Sequence, residues 1–336
     1  MLPPDLKRTS ALRRVPPFGA VRLQTAPGLE GDVCAFELAP DASPIAVEAA
    51  SGRTMVVVPG EIFLATPGYR ESTRWVVGGI PDGGLVPGGR YWVLADCGAV
   101  GDLVADSPLE KSHLGQVTYL GTVPGDDGRT LNIRQFAMTA DAEAADHGAP
   151  VYLMLGTSSE VGKTTAGITV LRSLRQKGHA AVVALKATGT SSIGEIATYR
   201  DFGAAQAFDC VDFGLPTTYP SDRDGIDRVF EEALHICLSW AADAVLIECG
   251  GDMVGANVPT FLDCLKRRRP DATVVLVAAD ALAALGGVQV LQQMGLSPTL
   301  ITGPCTDTPT LQQRTEALCG IPAVNMARSG GRAGPF

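Results

Sequence analysis

Two hydrophobic patterns divide the chain. From residue 151 onward, short apolar runs alternate with stretches whose apolar positions recur every three or four residues. That alternation predicts strands and helices in a parallel α/β sheet. The candidate strands are 151–155, 181–185, 244–248, 273–278, 299–301 and 323–325, and the candidate helices include 166–177, 225–240 and 258–266. Phe230, Leu234 and Cys237 share one face of the second helix by spacing. Upstream, residues 21–140 show short apolar runs at 33–38, 55–58, 62–65, 74–77, 91–95, 117–123 and 131–136. Turn sequences separate them, such as Pro81-Asp-Gly-Gly84 and Pro124-Gly-Asp-Asp-Gly128. Short strands at this spacing predict a small β-barrel or sandwich. Residues 1–20, with Pro3, Pro4, Pro16 and Pro17 among basic residues, read as an arm with little structure of its own. An Ala/Asp-rich stretch at 141–150 reads as the linker between the β-rich domain and an α/β domain over 151–330.

Composition narrows the function classes. The chain has 336 residues, and 46% hydrophobic against 19% charged content is enough apolar material for two cores. A net charge of −9 argues against non-specific binding to nucleic acid or an anionic membrane. The basic run 266–269 reads as the last turn of a helix stopped by Pro270. No apolar run reaches the roughly eighteen residues of a membrane span, and the N-terminus lacks the apolar segment of a secretion signal. The eight cysteines include no Cys-x-x-Cys pair, and several lie in apolar runs where a thiol packs as a small core residue. The expectation is a reduced, cytoplasmic protein without structural zinc or disulfides. His113, a lone histidine near Lys111, reads as a surface residue.

Chemistry concentrates after the strand at 151–155. The stretch Gly156-Thr157-Ser158-Ser159-Glu160-Val161-Gly162-Lys163-Thr164-Thr165 links that strand to a helix, the context of a phosphate-binding P-loop. Its glycines let backbone N–H groups curl toward phosphate oxygens. Lys163 is placed to reach the β/γ-phosphates, and the Thr164 hydroxyl to ligate Mg²⁺. The fold class expected is therefore α/β, a P-loop NTPase-type parallel sheet with helices on both faces, preceded by a smaller β-rich domain.

In such sheets ligands bind at the carboxyl ends of the strands. Lys186 ends the second strand, followed by Thr188, Thr190 and Ser191, and would place a second positive charge over a transferring phosphoryl group. Glu248 closes the next apolar strand ahead of Cys249-Gly-Gly251-Asp252, where a carboxylate can hold Mg²⁺ directly or through water. Glu248 and Asp252 remain alternatives for the metal. Asp209 and Asp212 are further carboxylates, with Asp212 a candidate metal ligand, although an ordinary turn explains them nearly as well. Asp307 is placed to accept from a nucleotide base amine, and capping the following helix explains it equally well.

The order Gly156 to Thr165, then Leu185-Lys186, then Glu248-Cys-Gly-Gly251 resembles dethiobiotin synthetase and its relatives over roughly 151–330. That resemblance implies ATP and Mg²⁺ as cofactors and activation of a small carboxylate or carbamate as a mixed phosphate anhydride. It implies phosphate and metal contacts from Lys163 and Thr164, and Glu160 lining the loop. It further implies Lys186 on the transferred phosphoryl group and Glu248 helping to hold the metal. Ala187-Thr-Gly189 and the Asp-Phe pair at 212–213 also look like a P-loop family that includes D-glutamate N-acyltransferases, whose N-terminal half is α/β where residues 21–140 here read as β. The leading expectation is an ATP- and Mg²⁺-dependent enzyme that phosphorylates or ligates a small carboxylate, probed by Lys163→Ala, and forms a homodimer. An acyltransferase gripping coenzyme A phosphates at the P-loop is one alternative. A nucleotide-switched binding or delivery protein is the other, and against it stands the lack of a His/Cys cluster for a metal cargo.

Overall fold

A computed structural model describes residues 2–3, 5–72, 76–106, 115–141, 143–220 and 223–328. His113, Lys111 and the first two residues of the 74–77 run lie outside the described residues. Contacts divide the chain into two compact units. The first is Met1–Met138 with Thr190–Gly194 and Asp209–Pro220, and the second is Thr139–Gly189 with Glu195–Phe208 and Ser221–Phe336.

The first unit contains β1 (Lys7–Arg8), β2 (Cys34–Leu38), β3 (Ile45–Glu48), β4 (Thr54–Val57), β5 (Ile62–Pro67), β6 (Arg70–Glu71), β7 (Val76–Gly79), β8 (Arg90–Val93), β9 (Ala99–Asp106) and β10 (Gln116–Thr122). The sheet runs β1-β5-β2-β10-β8-β9-β7-β6, and β9 pairs back onto β5 through Thr66 and Pro67. Five strands, β5-β2-β10-β8-β9, therefore close into a barrel, and β3 and β4 form a separate hairpin. The two-residue period of a strand explains the packing. Cys34, Phe36 and Leu38 of β2 face one cluster with Phe63, Val93, Val117 and Tyr119. Val33, Ala35 and Leu64 face a second cluster with Leu12, Val15, Val123 and Ile133.

That second cluster is why the N-terminal segment is ordered where an arm was expected. β1 pairs with β5, and Thr9, Ala11 and Leu12 have no exposed surface. The Arg13 guanidinium, itself largely buried, meets Asp209 and Asp212 at 2.7 Å each. The run 131–136 forms a 3-10 turn, Ile133–Phe136, instead of a strand, because Asn132 and Gln135 cap each other's backbone N–H groups across it.

The second unit holds β11 (Val151–Gly156), α1 (Lys163–Gln176), β12 (Val182–Thr188), most of α2 (Ile193–Asp201), β13 (Gln206–Asp209) up to Phe208, α3 (Ile226–Leu238), β14 (Ala244–Cys249), α4 (Val258–Arg268), β15 (Thr273–Val277), α5 (Ala281–Gln293), β16 (Leu300–Thr302) and α6 (Pro309–Cys319). Strand order is β13-β12-β14-β11-β15-β16, and the pairs of β14 with β12 and β11, β11 with β15, and β15 with β16 are parallel. Every residue of β12 and β14 is buried, which requires cover on both faces of the sheet. Phe230 of α3 meets Phe261 of α4 edge to face at 5.3 Å. The expected strand at 323–325 contributes only a single bridge, Ala323 to Ile301. The basic run closes α4 as anticipated, with Arg267 and Arg268 on Glu231 and Lys266 on the Met294 carbonyl. No described helix is long and apolar enough to cross a membrane.

Candidate functional site

β11 occupies the middle of the sheet, and the chain leaves its carboxyl end into the glycine-rich loop. Five residues separate Gly156 from Gly162, one more than the usual four of a P-loop. Two left-handed residues, Glu160 (φ 59°) and Gly162 (φ 96°), turn the chain back into α1. The N–H groups of Lys163, Thr164 and Thr165 lie in the first turn of α1, where a helix has no carbonyl of its own to offer them and carries its positive end. Gly156 makes room for the folded lysine: a Cβ there would lie 2.7 Å from Lys163 Cδ and 2.9 Å from its Nζ, so the Lys163 side chain would have to shift.

Lys163 is 6% exposed and folds back over this turn. Its Nζ donates to the Ser158 carbonyl at 2.9 Å and to the Gly251 carbonyl, in the loop after β14, at 2.7 Å. Burial pushes its pKa below the ordinary lysine value. The nearby Lys186 ammonium adds to that push, against the pull of Glu248. The Thr157 hydroxyl is buried without a hydrogen-bond partner inside the loop.

Glu248 sits at the centre of the charged groups and is 3% exposed. Its Oε1 accepts from the Thr164 hydroxyl at 3.0 Å, and its Oε2 accepts from the Tyr199 hydroxyl at 2.5 Å. Burial, reinforced by the Glu248 charge, pushes the Tyr199 phenol far above its ordinary value, so it remains a donor. Lys186 is the register partner of Glu248 across the β12–β14 pair and forms an ion pair with Glu195 of α2. Gly250 N–H donates to the Thr188 carbonyl at 3.1 Å, and the Thr188 hydroxyl returns a bond to the Gly250 carbonyl at 3.2 Å. Asp252 is occupied locally, accepting from the N–H groups of Val254 and Gly255.

The second unit thus brings together Lys163, Thr164, Lys186 and Glu248. Asp212 belongs instead to the first unit. Its carboxylate is taken by Arg13, Arg14 and the Asp209 N–H. Asp307 accepts from the Asn325 amide at 3.1 Å and lines a cavity of about 240 Å³ with Glu160, Gly162, Thr165, Thr302 and Asn325. Sequence alone singles out neither Tyr199 nor Glu195, and places Asn325 only at the end of an expected strand. Glu195 and Tyr199 stand four residues apart, the spacing of one helix face, and that was the available signal.

A P-loop α/β unit with a lysine and a hydroxyl at the helix start and a carboxylate on the neighbouring strand defines the class. No family profile matches the chain, and no curated protein matches it. Among solved structures, similarity extends to chloroplast FtsY from Physcomitrella patens, at 15% identity over 58% of this chain and 66% of that one, TM-score 0.38. The cell division protein FtsY from Thermotoga maritima matches at 17% identity over 57% and 66%, TM-score 0.38. A ParA family ATPase from Chlorobium tepidum TLS matches at 11% identity over 53% and 82%, TM-score 0.35. The matches span just under two thirds of each FtsY chain. These likenesses are too distant to carry an argument, so the class stands on the loop geometry. The resemblance to dethiobiotin synthetase gains no support from them.

Proposed function

We propose that the second unit binds a nucleoside triphosphate with Mg²⁺, cleaves its terminal phosphoanhydride, and couples nucleotide occupancy to the loop after β14. One observation carries this reading: the Lys163 ammonium bonds simultaneously to the P-loop, at Ser158, and to the post-β14 loop, at Gly251. A phosphate chain in the nest offers that ammonium charged acceptors, which bind it more strongly than neutral carbonyls. Loading therefore competes with the Lys163–Gly251 bond, and the loop at 250–257 gains a second arrangement biased by ligand.

The residues present fit a metal–triphosphate group. The buried, unpartnered Thr157 hydroxyl and the first-turn N–H groups of α1 face an anion's needs, and Gly156 leaves the space that Lys163 occupies. Among the described residues no three His, Cys, Asp or Glu side chains converge as a metal cage. That suits Mg²⁺, which typically takes one or two protein oxygens and completes its shell with phosphates and water. Thr164 and Glu248 would hold it, and when bound it neutralises charge on the phosphoryl oxygens. The Thr164 hydroxyl donates a hydrogen bond to Glu248, which leaves its lone pairs for the cation. Lys163 and Lys186 hold positive charge where the transition state gathers negative charge. The cavity bounded by Thr302, Asp307 and Asn325 is the place for the base, with Asp307 as acceptor.

The test is binding and turnover of ATP and GTP with Mg²⁺ as the only additions. Saturable binding with phosphate release and no co-substrate is the expected result. Failure to bind either nucleotide at millimolar concentration overturns the reading. A second reading, phosphorylation or ligation of a small carboxylate, is supported by Lys186, a second buried ammonium beside Glu248. Phosphate release that depends on an added carboxylate would favour it.

A further inference from the structure

We propose that Tyr199 is a positioning residue that holds Glu248 in the orientation from which it aligns Thr164 toward Mg²⁺. The proposal rests on the nucleotide-binding reading above. Glu248 is buried, and its two oxygens have separate tasks: one accepts from Thr164, the other from Tyr199. Without the phenol, Oε2 has no donor among these groups, and the carboxylate is free to rotate away from Thr164. A hydroxyl that donates to a carboxylate, which in turn accepts from a ligating side chain, is the arrangement that orients metal ligands.

Core filling alone does not explain this tyrosine. Its ring is 1% exposed, a place where phenylalanine would pack as well. The hydroxyl needs room, and α1 provides it with a glycine in its interior. A Cβ at Gly167 would collide with the Tyr199 hydroxyl and approach its Cζ to 3.1 Å. Glycine is among the poorest residues for a helix interior, so this position sacrifices helix propensity to admit the phenol. The same face of α2 acts on the neighbouring strand end. Glu195, one turn before Tyr199, pairs with Lys186, which lies beside Glu248 in the sheet. One helix face therefore sets both charged side chains at the ends of β12 and β14.

The experiment compares wild type, Tyr199→Phe and Gly167→Ala. A fluorescent nucleoside triphosphate is titrated into each in EDTA and in Mg²⁺, and ligand-free thermal unfolding is recorded alongside. Tyr199→Phe is expected to keep its affinity in EDTA within about twofold and to lose roughly tenfold of the Mg²⁺-dependent enhancement. Gly167→Ala, which retains the phenol but displaces it, is expected to lose a similar share. Full enhancement in both variants overturns the proposal. So does an equal loss with and without Mg²⁺, because that is the mark of core packing alone. Wild type that binds no nucleotide in either condition overturns the underlying reading, and the proposal falls with it.

Discussion

Replacing Lys163 with methionine separates stability from ligand binding in a way the geometry quantifies. The substitution removes two hydrogen bonds from a charged donor, to Ser158 and Gly251. Bonds of that kind contribute about 1.5–3 kcal/mol each. Against this, a buried ammonium loses hydration worth several kcal/mol, and the lowered pKa of Lys163 says the folded site holds its charge less well than water does. The two terms are of similar size and opposite sign. The ligand-free variant should therefore melt within about 4 °C of wild type, since about 1 kcal/mol moves a domain of this size by 2–4 °C. Ligand binding has no such compensation. Losing about 3 kcal/mol of contact to phosphate weakens affinity roughly 100-fold. At a nucleotide concentration of about 100 times the wild-type Kd, ligand adds about 2.7 kcal/mol to wild type and about 0.4 kcal/mol to the variant. Differential scanning fluorimetry should then show shifts of about 5–10 °C and about 1 °C. An undiminished shift in Lys163→Met refutes the assignment of the lysine to phosphate. A variant that fails to fold shows that the two carbonyl bonds outweigh desolvation.

Two further outcomes test the packing on either side. Arg13→Ala leaves Asp209, which has no exposed surface, without its guanidinium and Asp212 with only that of Arg14, and should cost about 3–5 kcal/mol in urea unfolding, with Arg13→Lys recovering part. An unchanged midpoint would show that the capping bonds within 209–212, with Arg14 on Asp212, are enough to hold both carboxylates. Glu231 lies between Arg268 and Arg267; burial pushes its pKa up, but those guanidinium bonds outweigh it and hold the pKa below the usual glutamate value. Its contribution is present above the unfolded-state pKa and is lost as pH falls through the depressed folded value. Glu231→Gln should thus cost at most about 1 kcal/mol at neutral pH, and the difference from wild type should vanish in acid. A gap that persists below that range rules out the ion pair as its origin.

The readable part of this chain was local. Continuous apolar runs disclosed β11, β12, β14 and β15, because strands buried on both faces admit no polar alternation. The P-loop declared itself through residues whose roles follow from backbone curl and a single lysine. α2 stayed hidden because its exposed and buried positions form no broad apolar face, although Glu195 and Tyr199 sit at helical spacing. β3 and β9 were also missed, and the 131–136 run changed type because a capping box outweighed its apolar content.

What folding alone decided is who meets whom. Asp212 and Glu248 are both carboxylates beside apolar runs, and the local sequence separates them only as a turn residue and a strand-end residue, which leaves both open to a metal. Their difference arises from partners far along the chain: Arg13 neutralises one, while Thr164 and Tyr199 engage the other. Local sequence sets backbone preference and periodicity, because those depend on near neighbours. The pairing of buried charges depends on contacts more than a hundred residues apart in the first case, and only a closed tertiary structure brings those together.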